Sequence, residues 1–178
     1  MPIVGQLSGR ELTAVKSAAH TAAPPPRYDA PVRRDRMSRW ALLAWEAPQN
    51  ALGAANLALW AVRRRVRRVR WERERLMVEI DGVGAVSLGL FVFHCSADTP
   101  FVPVGPENAD HEYGHSIQSR RFGPLYLPLV GVPSVMRVGY ALAYRTLRGR
   151  RWAHYYDGWP EKQADELGGV DRSVRPAP

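Results

Sequence analysis

Residues 108–134 carry two histidines four positions apart, with a glutamate directly after the first, in the pattern HExxH. On a helix, side chains four residues apart lie on one face, so His111 and His115 can direct their imidazoles to a single point. Zinc requires this arrangement from its first two ligands, and Glu112 beside them can take a proton from metal-bound water. The spacing therefore predicts a metal-binding helix. The alternative is a pair of solvated histidines that fall in phase by chance.

A catalytic zinc ion takes three protein ligands and leaves one position open, so a third ligand is expected. The best candidate is Glu161, at the start of a short predicted helix in the segment PEKQADELGG. Asp165 follows on the same helix face, where its carboxylate can accept the spare N–H of a ligand histidine. Without a metal, Glu161 would be a solvated residue favoured in a first turn by the helix dipole, and Asp165 an ordinary surface charge.

His154 competes with Glu161 for the third position. It lies seven residues before Glu161, in the segment RRWAHYYDGWP. Its other predicted role is catalytic, as a donor to the oxyanion of a tetrahedral intermediate, and Tyr155 and Tyr156 are further donor candidates. His94 is expected at the end of a strand in the core rather than at a metal.

With 178 residues, 46% of them hydrophobic, the chain can bury the core of one domain but hardly of two. We expect a single domain over residues 37–170, a disordered proline-containing tail over residues 1–36, and a flexible C-terminus over residues 171–178. Cys95 is the only cysteine, which excludes an internal disulfide. The first residues lack the basic start and apolar stretch of a secretory signal, which predicts a cytoplasmic protein.

The segment from Trp40 to Val62 is apolar and near the length of a membrane span, but Glu46 and Pro48 interrupt it. Two helices that meet near Pro48, packed on the domain or lying in a membrane interface, are the better interpretation.

Six arginines follow between Arg63 and Arg70, and the net charge of +8 favours an anionic partner. They are interpreted as a solvated helix end or a contact to anionic lipid. Nucleic acid ranks last because no stacking aromatics alternate with the arginines.

The pattern changes towards strands after residue 75. Leu76, Val78 and Ile80 alternate with other residues, Asp81-Gly82 is a turn signal, and residues 86–93 are rich in β-branched and aromatic groups, which predicts a β-hairpin. Beyond the histidines, residues 123–144 are apolar. Their prolines and an internal arginine favour a long core or interfacial helix over a membrane span. The expected fold class is α+β, mostly helical, with a small antiparallel hairpin or sheet.

The motif HExxH followed by ExxxD resembles the zinc metallopeptidases of the gluzincin type. This resemblance implies a zincin-like fold in which His111, His115 and Glu161 bind zinc, Glu112 is the general base, and Asp165 holds a ligand histidine from outside. The segments VSLGLFVF, HEYGHSIQSRRFGPLYLPLVGVPS and EKQADELGG are similar to a group of small, largely uncharacterised bacterial proteins with an HEYGH core.

Two expectations about function result. The first is a zinc-dependent hydrolase, a metallopeptidase acting on peptides or proteins, in the cytoplasm and peripheral to the inner face of the membrane. The second is a non-catalytic, membrane-associated interaction protein with a structural metal or none. An open coordination position distinguishes them, because a metal saturated by four protein ligands disfavours catalysis. No sequence pattern indicates an oligomeric state.

Overall fold

The apolar N-terminal segment forms two helices, α1 (Arg39–Trp45) and α2 (Ala47–Val62), which meet at Glu46 as predicted. The Ser38 hydroxyl caps α1 by accepting a hydrogen bond from the N–H of Ala41 at 3.1 Å. Pro48 stands in the first turn of α2, where its missing N–H removes no helical hydrogen bond. The proline that interrupts the apolar segment therefore marks the start of the second helix.

The computed structural model describes residues 38–95 and 107–172, which all belong to one compact unit. The predicted disordered tail, residues 1–36, lies outside the described residues, and so do residues 173–178 of the predicted flexible C-terminus. Arg172 belongs to that predicted flexible segment, yet its guanidinium donates to Oδ1 of Asp165 at 2.7 Å. Arg172 therefore contacts the preceding helix through its side chain.

Four short strands form one sheet in the order β1-β2-β4-β3. They are β1 (Val66–Glu72), β2 (Arg75–Ile80), β3 (Val86–Leu88) and β4 (Phe91–His94). The outer pairs β1–β2 and β3–β4 are antiparallel, but β2 and β4 run parallel at the centre. The prediction of an antiparallel hairpin across Asp81-Gly82 is therefore wrong, and the sheet is mixed.

Two tight turns explain this topology. Arg73 and Glu74 adopt positive φ angles of 52° and 60° and close the β1–β2 hairpin without a glycine, which hides that turn in the sequence. Gly89, at φ 60°, turns the chain between β3 and β4. Because both hairpins close locally, residues 81–85 carry the chain past β4 to the edge of the sheet, and Asp81-Gly82 begins this connection.

The parallel pair at the centre of the sheet supplies most of the hydrophobic core. Val78 and Phe93 are fully buried and cluster with Ile80 and Cys95, and Trp60 of α2 packs against this cluster. In the sequence, Leu76, Val78 and Ile80 alternate with other residues, and this pattern does not distinguish parallel from antiparallel pairing of β2 with β4.

The arginine run does not continue α2, which ends at Val62. Arg67, Arg68 and Arg70 lie on β1, an edge strand, so the predicted solvated helix end is wrong for these residues. Their side chains are exposed, and Arg67 pairs with Asp81 at 3.0 Å. Charged side chains on an edge strand hinder its pairing with another chain.

Three helices complete the fold: α3 (Asn108–Phe122), α4 (Val132–Arg148) and α5 (Glu161–Gly168). A 3₁₀ turn and the π-helical turn Leu127–Gly131 join α3 to α4. Helix α4 is the predicted long apolar helix, but Ala141 is its only buried residue. The predicted core position for α4 is therefore wrong, because its other side chains are partly or fully exposed.

Helices α3 and α5 cross at close range through two glycines. A Cβ at Gly114 would overlap the carbonyl of Ala164, and a Cβ at Gly168 would overlap the carbonyl of Asp110. Each helix thus presents bare backbone to the other. This close approach brings a helix from the middle of the chain to one near its end.

A buried ion pair holds the junction of α1 and α2 on the rest of the fold. The Arg75 guanidinium, on β2, donates to Glu46 at 2.8 Å and to the carbonyl of Ser116, on α3, at 2.9 Å. Arg75 and Glu46 are 2% and 1% exposed, so neither charge has water to replace its partner. Three elements therefore depend on one guanidinium.

Candidate metal centre

The two histidines of the HExxH motif and Glu161 meet inside the protein. His111 and His115 lie one turn apart on α3, and Glu161 is the first residue of α5. Their exposed fractions are 3%, 4% and 1%. The alternatives in which these side chains are ordinary solvated residues are therefore excluded.

The three side chains converge through single atoms. Oε2 of Glu161 lies 3.0 Å from Nε2 of His111 and 3.2 Å from Nε2 of His115, and all three ligand atoms lie within 4.8 Å of one another. Bonds of about 2.0–2.1 Å in a tetrahedral site separate neighbouring ligand atoms by about 3.3 Å. The group could hold a metal ion.

The opposite nitrogens of both imidazoles face hydrogen-bond acceptors. Nδ1 of His111 lies 2.7 Å from Oδ1 of Asp165, and Nδ1 of His115 lies 2.7 Å from Oε1 of Gln118. The Gln118 amide is oriented in turn, because its Nε2 donates to the carbonyl of Pro160 and to Gln163, both at 3.0 Å. With the proton held at Nδ1, each neutral imidazole presents its Nε2 lone pair to the shared point.

Glu161 is fixed at both carboxylate oxygens. Its Oε1 accepts a hydrogen bond from the Ser134 hydroxyl, on α4, at 2.6 Å, and its Oε2 faces the two imidazoles. Burial alone would raise the pKa of Glu161, but the hydrogen bonds to His111 and His115 hold this pKa well below its usual range. Glu161 is therefore a carboxylate, the form that binds a metal.

Asp165 links the His111 imidazole to the Arg172 guanidinium. It bonds the imidazole on one side and Arg172 on the other, and the Arg172 guanidinium stacks over the Tyr156 ring at 3.3 Å. Burial lowers the pKa of His111, but the hydrogen bonds to Asp165 and Glu161 outweigh burial and raise it to about 9. In the absence of a metal, a proton thus occupies the position between the imidazole and Glu161.

Glu112 lies beside the ligand group with one oxygen unpaired. The side chain is 5% exposed, and among residues 38–95 and 107–172 its Oε2 has no hydrogen-bond partner. Burial raises the pKa of Glu112, and the two nearby histidines only partly oppose this. An unpaired buried carboxylate is costly, so a group that binds there must supply its partner.

A cavity of about 630 Å³ opens next to these residues. His111, Glu112, His115 and Glu161 are among its polar lining residues. Apolar lining comes mainly from residues 83–88, from residues 126–127 and from the first half of α4, with Leu52 of α2. The group of two histidines and Glu161 therefore borders a space large enough for a ligand.

The structure does not bring His154 to this group. His154 is exposed, its Nδ1 lies 2.6 Å from Asp157, and it is absent from the cavity lining. This placement gives no support to its predicted roles as third ligand or oxyanion donor. Tyr155 and Tyr156, by contrast, line the cavity. His94 ends β4 in a buried position as predicted, and burial lowers its pKa.

Three residues of the centre were not predicted: Gln118, Ser134 and Arg172. Gln118 follows His115 by three residues on the same helix, a spacing at which side chains meet, so the sequence contained a usable signal. Ser134 bonds Glu161, which lies 27 residues later in the chain, and Arg172 folds back on Asp165, seven residues earlier. Neither contact follows from spacing within one helix. Comparisons with models of protein families, with curated proteins and with solved structures find no match.

Proposed function

We propose that this protein is a zinc-dependent hydrolase of the metallopeptidase type with a zincin-like fold. The proposal rests on one observation: two Nε2 atoms and one carboxylate oxygen converge, while both Nδ1 atoms face acceptors. Two imidazoles and a carboxylate are a ligand set that zinc accepts in hydrolases. The likeness to gluzincin-type peptidases supports the same assignment.

Each residue has a role that its surroundings support. His111, His115 and Glu161 would hold the ion, and Asp165 and Gln118 would orient the imidazoles. Zinc, when bound, supplies a Lewis acid that polarises a carbonyl group and lowers the pKa of water. Glu112 accepts the proton of the attacking water at its unpaired Oε2, and its raised pKa suits a general base.

The cavity favours catalysis over a structural metal. Among the residues that the structure describes, the ligand group consists of two histidines and one glutamate, and no fourth histidine, cysteine or acidic residue joins it. Its free side borders the cavity that Glu112 also lines. A structural zinc site is closed by four protein ligands, whereas a catalytic site keeps one position open.

Metal content tests the ligand set. Chelator-treated wild type, reloaded with zinc and dialysed, is expected to retain one ion per chain by elemental analysis. His115→Ala and Glu161→Ala should each lose it, while His154→Ala, the matched exposed histidine, should retain it. Equal zinc in wild type and His115→Ala, or loss in His154→Ala alone, contradicts the proposed ligands.

Turnover requires its own experiment. Glu112→Gln keeps the size of the side chain but cannot accept the proton, so it should retain zinc and lose cleavage of a fluorogenic peptide library by at least about a hundredfold. Glu166→Gln, an exposed glutamate on α5, is the control and should be as active as wild type. Full activity in Glu112→Gln would exclude Glu112 as the base.

A further inference from the structure

Helix α4 and the turn before it expose a long uncharged surface. Among the described residues, Leu127–Arg148 is the one helix long and apolar enough to cross a membrane, yet only 11% of its most apolar window is buried. Its exposed side chains include Val132, Val135, Met136, Tyr140 and Leu142, each at least half exposed. Monomeric soluble proteins rarely leave so long an apolar surface open to water.

The one charge within residues 127–144 is turned towards the protein. The Arg137 guanidinium donates to the carbonyls of Tyr155 at 3.0 Å and His154 at 2.8 Å, and it lies 4.9 Å from the centre of the Trp152 ring. The polar Ser134 also points inward, to Glu161. Over residues 127–144, the outer face is therefore free of charge although the sequence is not, and the charged residues Arg145 and Arg148 lie in the last turn of α4.

Helix α2 repeats this arrangement. Its sequence from Ala47 to Val62 contains no charged residue. Two of its three amide side chains donate hydrogen bonds inside the protein: Gln49 to the carbonyl of Gly123, and Asn50 to the carbonyl of Leu43. Asn50 also accepts a hydrogen bond from the N–H of Leu90. The exposed positions are filled by alanines, a proline and the side chains of Leu52, Leu59 and Val62.

The two uncharged faces flank the mouth of the metal cavity. Leu52 of α2 lines it on one side, and Val132, Val135 and Met136 of α4 line it on another. Val83 and Val86, which are 57% and 39% exposed, also line it. We call the exposed apolar surface that these lining residues form the apolar rim: Leu52, Val83, Val86, Val132, Val135 and Met136.

Exposed arginines follow both helices. Arg63, Arg64 and Arg65 come directly after α2, Arg148 is the last residue of α4, and Arg150 follows two residues later. Apolar side chains next to exposed cations match the two layers of an anionic bilayer surface, whose headgroups attract arginine and whose acyl region accepts leucine and valine. A second copy of the chain fits less well, because two molecules of net charge +8 repel each other.

We propose that the apolar rim, with the arginines that follow α2 and α4, docks on an anionic lipid bilayer. Only the outer faces of the two helices are apolar and free, so they lie in the interface rather than span the membrane. Docking in this way places the mouth of the metal cavity against the lipid. The inference concerns a surface and does not depend on metal binding.

Vesicle flotation tests the proposal with the full chain. Wild type should float with vesicles of equal parts phosphatidylglycerol and phosphatidylcholine at low salt, and less with phosphatidylcholine alone or at high salt. Val135→Asp combined with Met136→Asp should weaken partitioning by about tenfold or more, because two carboxylates enter the interface. Both residues are about 70% exposed, so the variant should melt as wild type does.

Two controls separate the alternatives. Lys162→Asp makes the same change in net charge at an exposed site outside both helices and should float as wild type does. Glu112→Gln should also float, whether or not the hydrolase proposal holds. The proposal is overturned if wild type fails to bind anionic vesicles at low salt, or if the double aspartate variant floats unchanged. If wild type does not bind vesicles but sediments as a dimer, and the double aspartate variant sediments as a monomer, the apolar rim contacts a second copy. This outcome also overturns the proposal.

Discussion

Oε1 of Gln118 lies 2.7 Å from Nδ1 of His115, on the same helix. The amide cannot rotate to offer its nitrogen instead, because that nitrogen donates to the carbonyl of Pro160 and to Gln163. A glutamine thus does for one ligand histidine what the carboxylate of Asp165 does for the other. The two imidazoles are oriented by side chains from different helices and of different charge.

Replacing Gln118 should weaken metal binding without removing a ligand. In Gln118→Ala, Nδ1 of His115 loses its acceptor, so zinc affinity should fall by about ten- to a hundredfold. Competition with a chromophoric chelator measures this. Glu166→Ala, at an exposed position on α5, is the control and should bind zinc as well as wild type. Similar losses in both variants would show that the effect comes from packing.

The metal-free protein should lose stability as pH rises. The pKa of His111 is raised to about 9, from an ordinary value of 6.5, so its protonated form stabilises the fold. This contribution is complete below about pH 6.5 and disappears as pH passes 9, and its size is on the order of 3 kcal/mol. Urea unfolding of chelator-treated protein between about pH 6 and about pH 9.5 should show the unfolding free energy decline. This range covers the ordinary pKa of 6.5 and the raised pKa of about 9.

Zinc should reverse this trend, because ion and proton compete for the same nitrogen. The rise in melting temperature that zinc causes should therefore grow between about pH 6.5 and pH 9. His154→Ala leaves the titrating group in place and should behave as wild type does in both titrations. A pH-independent unfolding free energy in chelator-treated wild type would contradict the coupling of His111 to Asp165 and Glu161.

Substitution at the crossing of α3 and α5 should be destabilising. Any Cβ at Gly114 overlaps the carbonyl of Ala164, so Gly114→Ala must separate the helices and should cost about 1–3 kcal/mol or more of unfolding free energy. Zinc binding should weaken as well, because the same helices carry the ligands. Gly139→Ala, on the open face of α4 with nothing within 4 Å, should instead stabilise by up to about 1 kcal/mol. Equal urea midpoints for the two variants would disprove the close crossing.

The buried pair of Glu46 and Arg75 should show strong coupling. Glu46→Gln leaves the guanidinium without its counter-charge and should cost about 3–5 kcal/mol. Combining it with Arg75→Met removes the uncompensated charge, so the double variant should be more stable than the sum of the single changes indicates. Denaturant unfolding of the four proteins in this cycle measures the coupling. Additive losses would mean that the charges do not interact.

Which side chains share a helix face could be predicted, because this depends only on spacing within each helix. Residues i and i+4 share a face, and this rule places His111 with His115 and Glu161 with Asp165 before any fold is known. From the sequence alone, contact between α3 and α5 can be predicted only if a metal is assumed to join them. Packing through Gly114 and Gly168 achieves that meeting in the structure, and glycines in a helix give no sequence signal of what they approach.

The sheet was less accessible to prediction. Local composition indicates the strands after residue 75 but not the arginine-rich β1. The parallel pairing of β2 with β4 is decided by the hairpins on either side. The turn at Arg73 and Glu74 uses positive φ in residues that rarely adopt it, so the usual Asn-Gly or Asp-Gly signal is missing. The Asp-Gly that is present, at residues 81–82, marked the wrong connection.

The position of Glu161 along the chain sets the order in which the centre can be built. The histidines of α3 precede it by 50 and 46 residues, and Asp165 comes later still. During synthesis, a chain that has not yet been extended to residue 161 carries both imidazoles but lacks the Glu161 carboxylate that lies between them. The group is therefore completed only after residue 161 has been translated, and every shorter product lacks its third member.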